Sequence, residues 1–211
     1  EDGKPVTNVR KSNGDSAQDY IVDTRNPTIK LLASTLMLDS TEGEIKSLLD
    51  LNVFKLFDHF FNKKLKSNFD FIIIDTPPQK SSVLTLNALL TSNWYWYVLS
   101  AEDQWSLDAR IVSEKIMEDV RKLNPKVRPL PVLMTKFVNG SSQSIDMKKI
   151  AASEFRAGVF KTTIGYSTVI SKSHSNRKSI HEFNPGHLVA KNYDSVALAI
   201  NRYISKTKTA R

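Results

Sequence analysis

The residues best suited to chemistry stand at the end of one apolar run. Phe69-Asp70-Phe71-Ile72-Ile73-Ile74 leads directly into Asp75-Thr76-Pro77-Pro78. Two successive prolines can continue neither a ladder nor a helix, so the chain must turn away there, leaving Asp75 at the carboxyl end of the run. A carboxylate in that place suits Mg2+. The ion is hard, keeps much of its water, and in nucleotide-hydrolysing α/β proteins is met by an acid just beyond a buried strand. The plainer alternative is a turn in which Asp75 only bonds nearby amides.

Charge marks a second region. The 211 residues carry a net +8, but Lys148 to Arg211 hold 12 Lys/Arg against 3 Asp/Glu, and the first 147 residues are close to neutral. Such asymmetry points toward a polyanion, either nucleic acid or an anionic membrane surface, with a solvated basic face as the plain alternative. Other chemistries are excluded or weak. With no Cys there is no thiolate metal site, disulfide framework or cysteine nucleophile, and a reducing, intracellular setting is the easier reading. His174, His181 and His187 fit no zinc spacing, and no nucleophile-elbow glycines surround a serine. Trp94, Trp96 and Trp105 read as packing residues rather than base-stacking platforms. The seven glycines include no pair spaced for a G-x-x-x-x-G-K-[ST] phosphate loop.

The elements that must position these residues alternate along the chain. A polar lead-in, 1–18, precedes a strand over Ile29 to Ala33, and Thr41-x-x-Glu44 is a capping box that opens a helix reaching Lys63-Lys64. Strands are predicted over Phe69 to Ile74, Trp94 to Leu99, Pro131 to Thr135 and Val159 to Ile164. Helices are predicted over Val83 to Leu90, Ser106 to Leu123, Ser144 to Phe155 and Leu188 to Ile204. Ser171 to Ser179 is a Ser/Lys/Arg/His-rich segment, and 207–211 ends a basic tail that begins at Ser205. Near-continuous apolar strands between helices predict an α/β fold, a mostly parallel sheet sandwiched by helices, in one domain over 19–206. No apolar stretch is long enough to span a membrane. Ligands in such sheets bind beyond the carboxyl ends of strands, so the loops starting at Asp75, Ser100, Thr135 and Gly165 are the ones to examine.

The order of these segments resembles the ParA/Soj partition ATPases, the deviant-Walker class that also includes MinD. The apolar run ending Asp75-Thr76-Pro77-Pro78 is similar to that family's second nucleotide motif. The likeness continues through Leu84 to Leu89, Ser100-Ala101-Glu102-Asp103-Gln104-Trp105, Val132 to Phe137, Val159 to Ile164 and Ile180-x-x-Phe183-Asn184-Pro185. It implies a P-loop NTPase-like fold lacking its amino-terminal strand-loop-helix, the part that carries the Walker A loop. It also implies ATP and Mg2+ as cofactors, a homodimer formed with nucleotide, non-specific DNA binding, a ParB-like partner and a cytoplasmic, nucleoid-associated setting. Carried onto this sequence, the resemblance makes Asp75 the magnesium residue acting through water, beside Thr76 and Pro77. Thr135, Lys136 and Ile164 to Gly165 would border the base.

Where family members commonly have Pro-Arg-Asn-x-Arg-Leu-x-Glu-Ala, this chain reads Gly165-Tyr166-Ser167-Thr168-Val169-Ile170-Ser171-Lys172-Ser173. The arginine linked to DNA contact falls on Val169, so Lys172, Arg177 and Lys178 are expected to take its place through counterion release. Without a phosphate cradle and its lysine, the chain by itself is expected not to hydrolyse ATP. Two alternatives keep the fold: a non-catalytic DNA-binding adaptor, and a MinD-like membrane-associated positioning ATPase, the latter disfavoured by the polar character of the basic tail.

Overall fold

Ile21-Val22-Asp23 and Lys30-Leu31-Leu32 flank Thr24-Arg25-Asn26-Pro27, a turn composition between two short apolar runs. A computed structural model of the chain, which describes residues 20–33, 57, 61, 63–76, 82–102 and 116–209, shows the hairpin this implies. Strand β1 (Ile21–Asp23) pairs antiparallel with β2 (Lys30–Leu32), Ile21 opposite Leu32. Thr24 Oγ1 closes the turn by donating to the carbonyls of Asn26 and Ile29, and Lys30 Nζ lies 2.6 Å from Asp23. The strand expected over Ile29 to Ala33 therefore forms, but as half of a ribbon with Leu31 exposed rather than as a buried parallel strand.

The chain divides into two compact units, Glu1–Ser92 and Asn93–Arg211. In the first, helix α1 (Lys63–Ser67) buries Leu65 beside Phe61, with Ile21, Phe57, Phe69 and Ile74 packed around them. Helix α2 (Val83–Thr91) starts where the sequence predicts, because the Ser82 hydroxyl accepts from the Leu84 and Thr85 amides. Asn87 is buried in α2; its amide donates to Val83 O at 3.0 Å and its carbonyl accepts from the Phe57 amide.

One expectation fails in this unit. Phe69 to Ile74 forms no strand, and Ile73 is 91% exposed. A run with apolar residues on both faces needs ladder neighbours and a helix layer on each side. Among the described residues no segment supplies the ladder, so apolar composition alone does not make the strand. The capping box at Thr41 and Glu44 and the helix behind it fall almost entirely outside the described residues.

The second unit carries the parallel sheet. Strands β3 (Trp94–Tyr95) and β4 (Val98–Ser100) form one run, alongside a second made of β5 (Arg128–Pro129) and β6 (Leu133–Thr135). Trp94 pairs with Arg128 and Val98 with Leu133, so four steps on one strand face five on the other. The extra residue is a bulge at Pro131, which has no amide to give a ladder. On its other side β6 meets a third run, where the strand expected over Val159 to Ile164 is reduced to two isolated parallel bridges, Val132 with Val159 and Phe137 with Gly165, with bends at 161–162 between them.

Helices cover both faces of this sheet. Val132 and Met134 point to one side, where they meet Met147 and Ala151 of helix α3 (Ser142–Glu154) and Phe155, which caps it. Leu133, between them, points to the other and packs with Phe160, Ile164, Val189 and Val196. The last two belong to the long helix, and Ile170, on a short helix, closes the same cluster. These are α4 (Thr168–Ser175) and, after the single-turn α5 (Ile180–Phe183), α6 (Leu188–Thr209). The helix predicted over Ser106 to Leu123 is seen over 116–123. Helix α6 runs past Ile204, so Ser205 and Lys206 of the expected tail are helical. The basic segment from Ser171 is also helical at its start: Ser167 caps it and Ser173 is buried.

Candidate functional site

In the second unit the carboxyl ends of three parallel runs open together. Thr135 ends β6; its backbone carbonyl accepts from the Ala101 amide, and its hydroxyl donates to Leu99 O at 3.2 Å. Lys136 follows with φ of 50°, a left-handed conformation that costs a residue with a Cβ about 1 to 2 kcal/mol. Its Nζ lies 3.3 Å from Glu102 Oε2, so the turn after β4 and the turn after β6 are tied by an ion pair. Both partners are about half exposed, which keeps that tie weak. Phe137 then donates its amide to Ile164 O and accepts from the Tyr166 amide, placing Gly165 beside it. Thr135, Lys136 and Gly165, three of the residues expected around a base, are thus brought to one edge.

The Gly165 amide donates to Asn192 Oδ1 of α6 at 3.4 Å. A methyl group at Gly165 would meet only that oxygen at 3.7 Å and Phe137 O at 3.8 Å, ordinary contacts that leave the backbone approachable. Lys148 of α3 reaches the same edge from below: Nζ donates to Lys161 O at 3.0 Å and stands 5.7 Å from the centre of the Phe137 ring. Burial pushes its ammonium below the ordinary lysine range. Neither Asn192 nor Lys148 is signalled by any motif, since both act through long-range contacts from helices.

Asp75 and Thr76 lie in the first unit, exposed, at the end of the irregular 69–76 segment; Pro77 is outside the described residues. An exposed carboxylate suits a cation held through water. Asp75 and the Thr135, Lys136 and Gly165 edge belong to different units, and the sequence holds no glycine-rich cradle for phosphates. Among the described residues no cluster of three or more acids and histidines forms a metal site.

Lys172, Arg177 and Lys178 gather around the carboxyl end of α4, all three exposed. The helix closes with the Arg177 amide on His174 O at 2.8 Å and the Lys178 amide on Ser173 O at 3.0 Å, a Schellman-type end. Arg177 occupies the position where such ends favour glycine, with φ of 52°. Downstream, Ser179 and Glu182 form a reciprocal capping box that starts α5. His181 Nε2 lies 2.9 Å from Asp194, tying α5 to α6, and His187 Nδ1 accepts the Val189 amide at the start of α6. His181 and His187 are therefore engaged in structure, while His174 is exposed on α4. Trp96 packs against Phe160 and Trp94 against Tyr203, in line with a packing role; Trp105 is outside the described residues.

No curated protein matches the chain. Among solved structures, cobyrinic acid a,c-diamide synthase from Mycobacterium smegmatis with bound ADP and magnesium is 22% identical, with a TM-score of 0.63 over 73% of this chain and 61% of that one. Another structure of that enzyme gives 21% identity and a TM-score of 0.71 over 90% of this chain and 68% of that one. A plasmid partition protein from Borrelia burgdorferi gives 21% identity and a TM-score of 0.55 over 88% and 68%. These likenesses show the fold, α/β and P-loop NTPase-like, and the chain spans less than two thirds of the first of those structures. Residues 4–128 match the AAA domain model AAA_31, which takes in the Asp75 segment and ends before Thr135. With more than half of its length matched, the chain belongs to the AAA_31 family of ParA/MinD/CobB-like P-loop ATPases.

Proposed function

We propose that the chain works in a ParA-type partition ATPase that binds ATP with Mg2+, dimerises around the nucleotide, holds duplex DNA without sequence preference and segregates it with a ParB-like partner. The observation that carries this reading is the exposed cationic turn of Lys172, Arg177 and Lys178, set in a carboxyl-terminal stretch of net charge +9. A surface of that kind binds phosphates by releasing counterions and reads no bases. The shared fold of a plasmid partition protein supports it. ATP with Mg2+ is supported by the fold relative solved with ADP or an ATP analogue and magnesium. Thr135, Lys136 and the Gly165 backbone are proposed to border the base, and Asp75, with Thr76 and Pro77, to hold the magnesium water. ATP-Mg2+ would supply the linkage between subunits. These 211 residues, having no phosphate loop, would not cleave it unaided.

That same lack of a loop favours a second reading, a DNA-binding adaptor of this fold that does no chemistry. Anisotropy of short labelled duplexes of two unrelated sequences, titrated across salt with and without Mg-ATP, separates the readings. Equal affinities for both sequences, falling steeply with salt and strengthened by Mg-ATP, support the partition ATPase. Nucleotide-independent binding favours the adaptor, and no binding at low salt overturns both.

A further inference from the structure

Val138-Asn139-Gly140-Ser141 joins the end of the β6 run to helix α3 and is built as a type II turn. The Ser141 amide donates to Val138 O at 3.2 Å, Gly140 takes a φ of 82°, and Asn139 keeps a negative φ. Residues 138–140 are exposed, and a Cβ at Gly140 would meet nothing within 4 Å. Such a turn uses the carbonyl of its first residue and the amide of its last, so the Gly140 amide is left over. Among the described residues it makes no hydrogen bond, and neither does the Asn139 side chain.

This is the only Asn-Gly pair among the described residues, and other asparagines there lack its combination of free groups. Asn26, Asn124 and Asn184 precede proline, which has no N–H. The carboxamides of Asn87 and Asn176 are held on Val83 O and Lys172 O, and Asn192 Oδ1 accepts the Gly165 amide. Asn201 is exposed, but the residue after it is Arg202, whose amide lies inside α6.

We propose that Asn139 is a site of spontaneous modification, at which the chain itself supplies the nucleophile and water is the one co-reactant. The Gly140 nitrogen gives up its proton to solvent and attacks Asn139 Cγ. An N–C bond forms, the bond from Cγ to the side-chain nitrogen breaks, and ammonia leaves with that proton restored, closing a five-membered cyclic imide. Water then opens the imide at one carbonyl or the other, leaving aspartate or isoaspartate. Either product puts a carboxylate two residues ahead of the Ser141 cap, where the amino-terminal end of α3 favours negative charge. Isoaspartate also adds one carbon to the backbone between Phe137 and that cap. The proposal is independent of any nucleotide or DNA.

The test is to age the folded chain at mildly alkaline pH and follow each asparagine by peptide mass spectrometry, with fragmentation that separates aspartate from isoaspartate. Asn139 is expected to convert roughly tenfold or more faster than Asn201, because glycine leaves the attacking nitrogen unshielded. Folded and urea-unfolded chains should lose Asn139 at rates within about threefold of each other, since an exposed turn opens at little cost. Gly140→Ala should slow the loss about tenfold, its methyl group shielding the nitrogen. Isoaspartate among the products identifies the imide, because direct hydrolysis of the side chain gives aspartate alone. A rate at Asn139 no higher than at Asn201 overturns the proposal, as does stronger protection by folding. Aspartate as the sole product, or a rate unmoved in Gly140→Ala, overturns attack by the Gly140 amide.

Discussion

Asn192, in the second turn of α6, accepts the Gly165 amide at 3.4 Å and so ties the longest helix of the second unit to the carboxyl end of its third parallel run. Replacing Asn192 with Ala leaves a partly buried amide without that acceptor, at a cost of about 1 kcal/mol in urea unfolding.

Gly165 itself is expected to tolerate a methyl group. The contacts a Cβ would make are ordinary ones and its φ is not left-handed, so Gly165→Ala should change stability by less than about 0.5 kcal/mol. If a base docks on this edge, the same variant weakens nucleotide binding measured by calorimetry. Unchanged nucleotide affinity would move the base elsewhere.

Arg177 sits where its backbone prefers glycine. Arg177→Gly is expected to raise stability by about 0.5 to 1 kcal/mol, seen as a higher urea midpoint, while weakening DNA binding. A variant that is both less stable and equally good at binding DNA would show that the side chain serves the fold.

Changing Lys172, Arg177 and Lys178 together to Ala should reduce the slope of log affinity against log salt by roughly 2 to 3, close to one released counterion per phosphate contact. The effect should be the same for unrelated duplex sequences. A slope that does not move removes the turn from the interface.

Lys148 makes stability depend on alkaline pH. Its folded pKa lies below the ordinary 10.5, so between those two values the unfolded chain binds more protons and stability rises with pH. The penalty of burying the ammonium is present in full below the folded pKa and is relieved above 10.5. Urea midpoints of the wild type and Lys148→Met should therefore converge as pH is raised from 7 toward 10, and a gap that widens would reverse the assignment.

Much of the second unit is legible in its sequence. Val132-Leu133-Met134 is apolar at every position because α3 covers one face and α6 the other, and Ser141 caps α3 as a serine before a helical run should. Phe69 to Ile74 has the same composition and yields no strand, because a strand is a property of its neighbours as much as of its own residues. Position on an edge was readable for Thr135, Lys136 and Gly165 from where their strands end. Asn192 and Lys148 were not, since each depends on a helix crossing a sheet at a particular angle. The pattern that marks Thr41 and Glu44 also stands at Ser179 and Glu182, where the surrounding charge conceals a helix start.

The bulge at Pro131 has a consequence for how this unit tolerates change. Five steps from Arg128 to Leu133 span what four do from Trp94 to Val98, so the two halves of one strand are out of phase by a single side chain. Deleting Pro131 would bring them into phase, and either Arg128 to Leu130 or Val132 to Thr135 would then have to exchange faces. In the second case Met134 would leave α3 and Leu133 would leave α6, and the hydroxyl of Thr135 would turn away from Leu99 O. The sheet is therefore keyed: an insertion or deletion between its two halves is read out at the edge formed by Thr135 and Lys136, four residues from where it occurs.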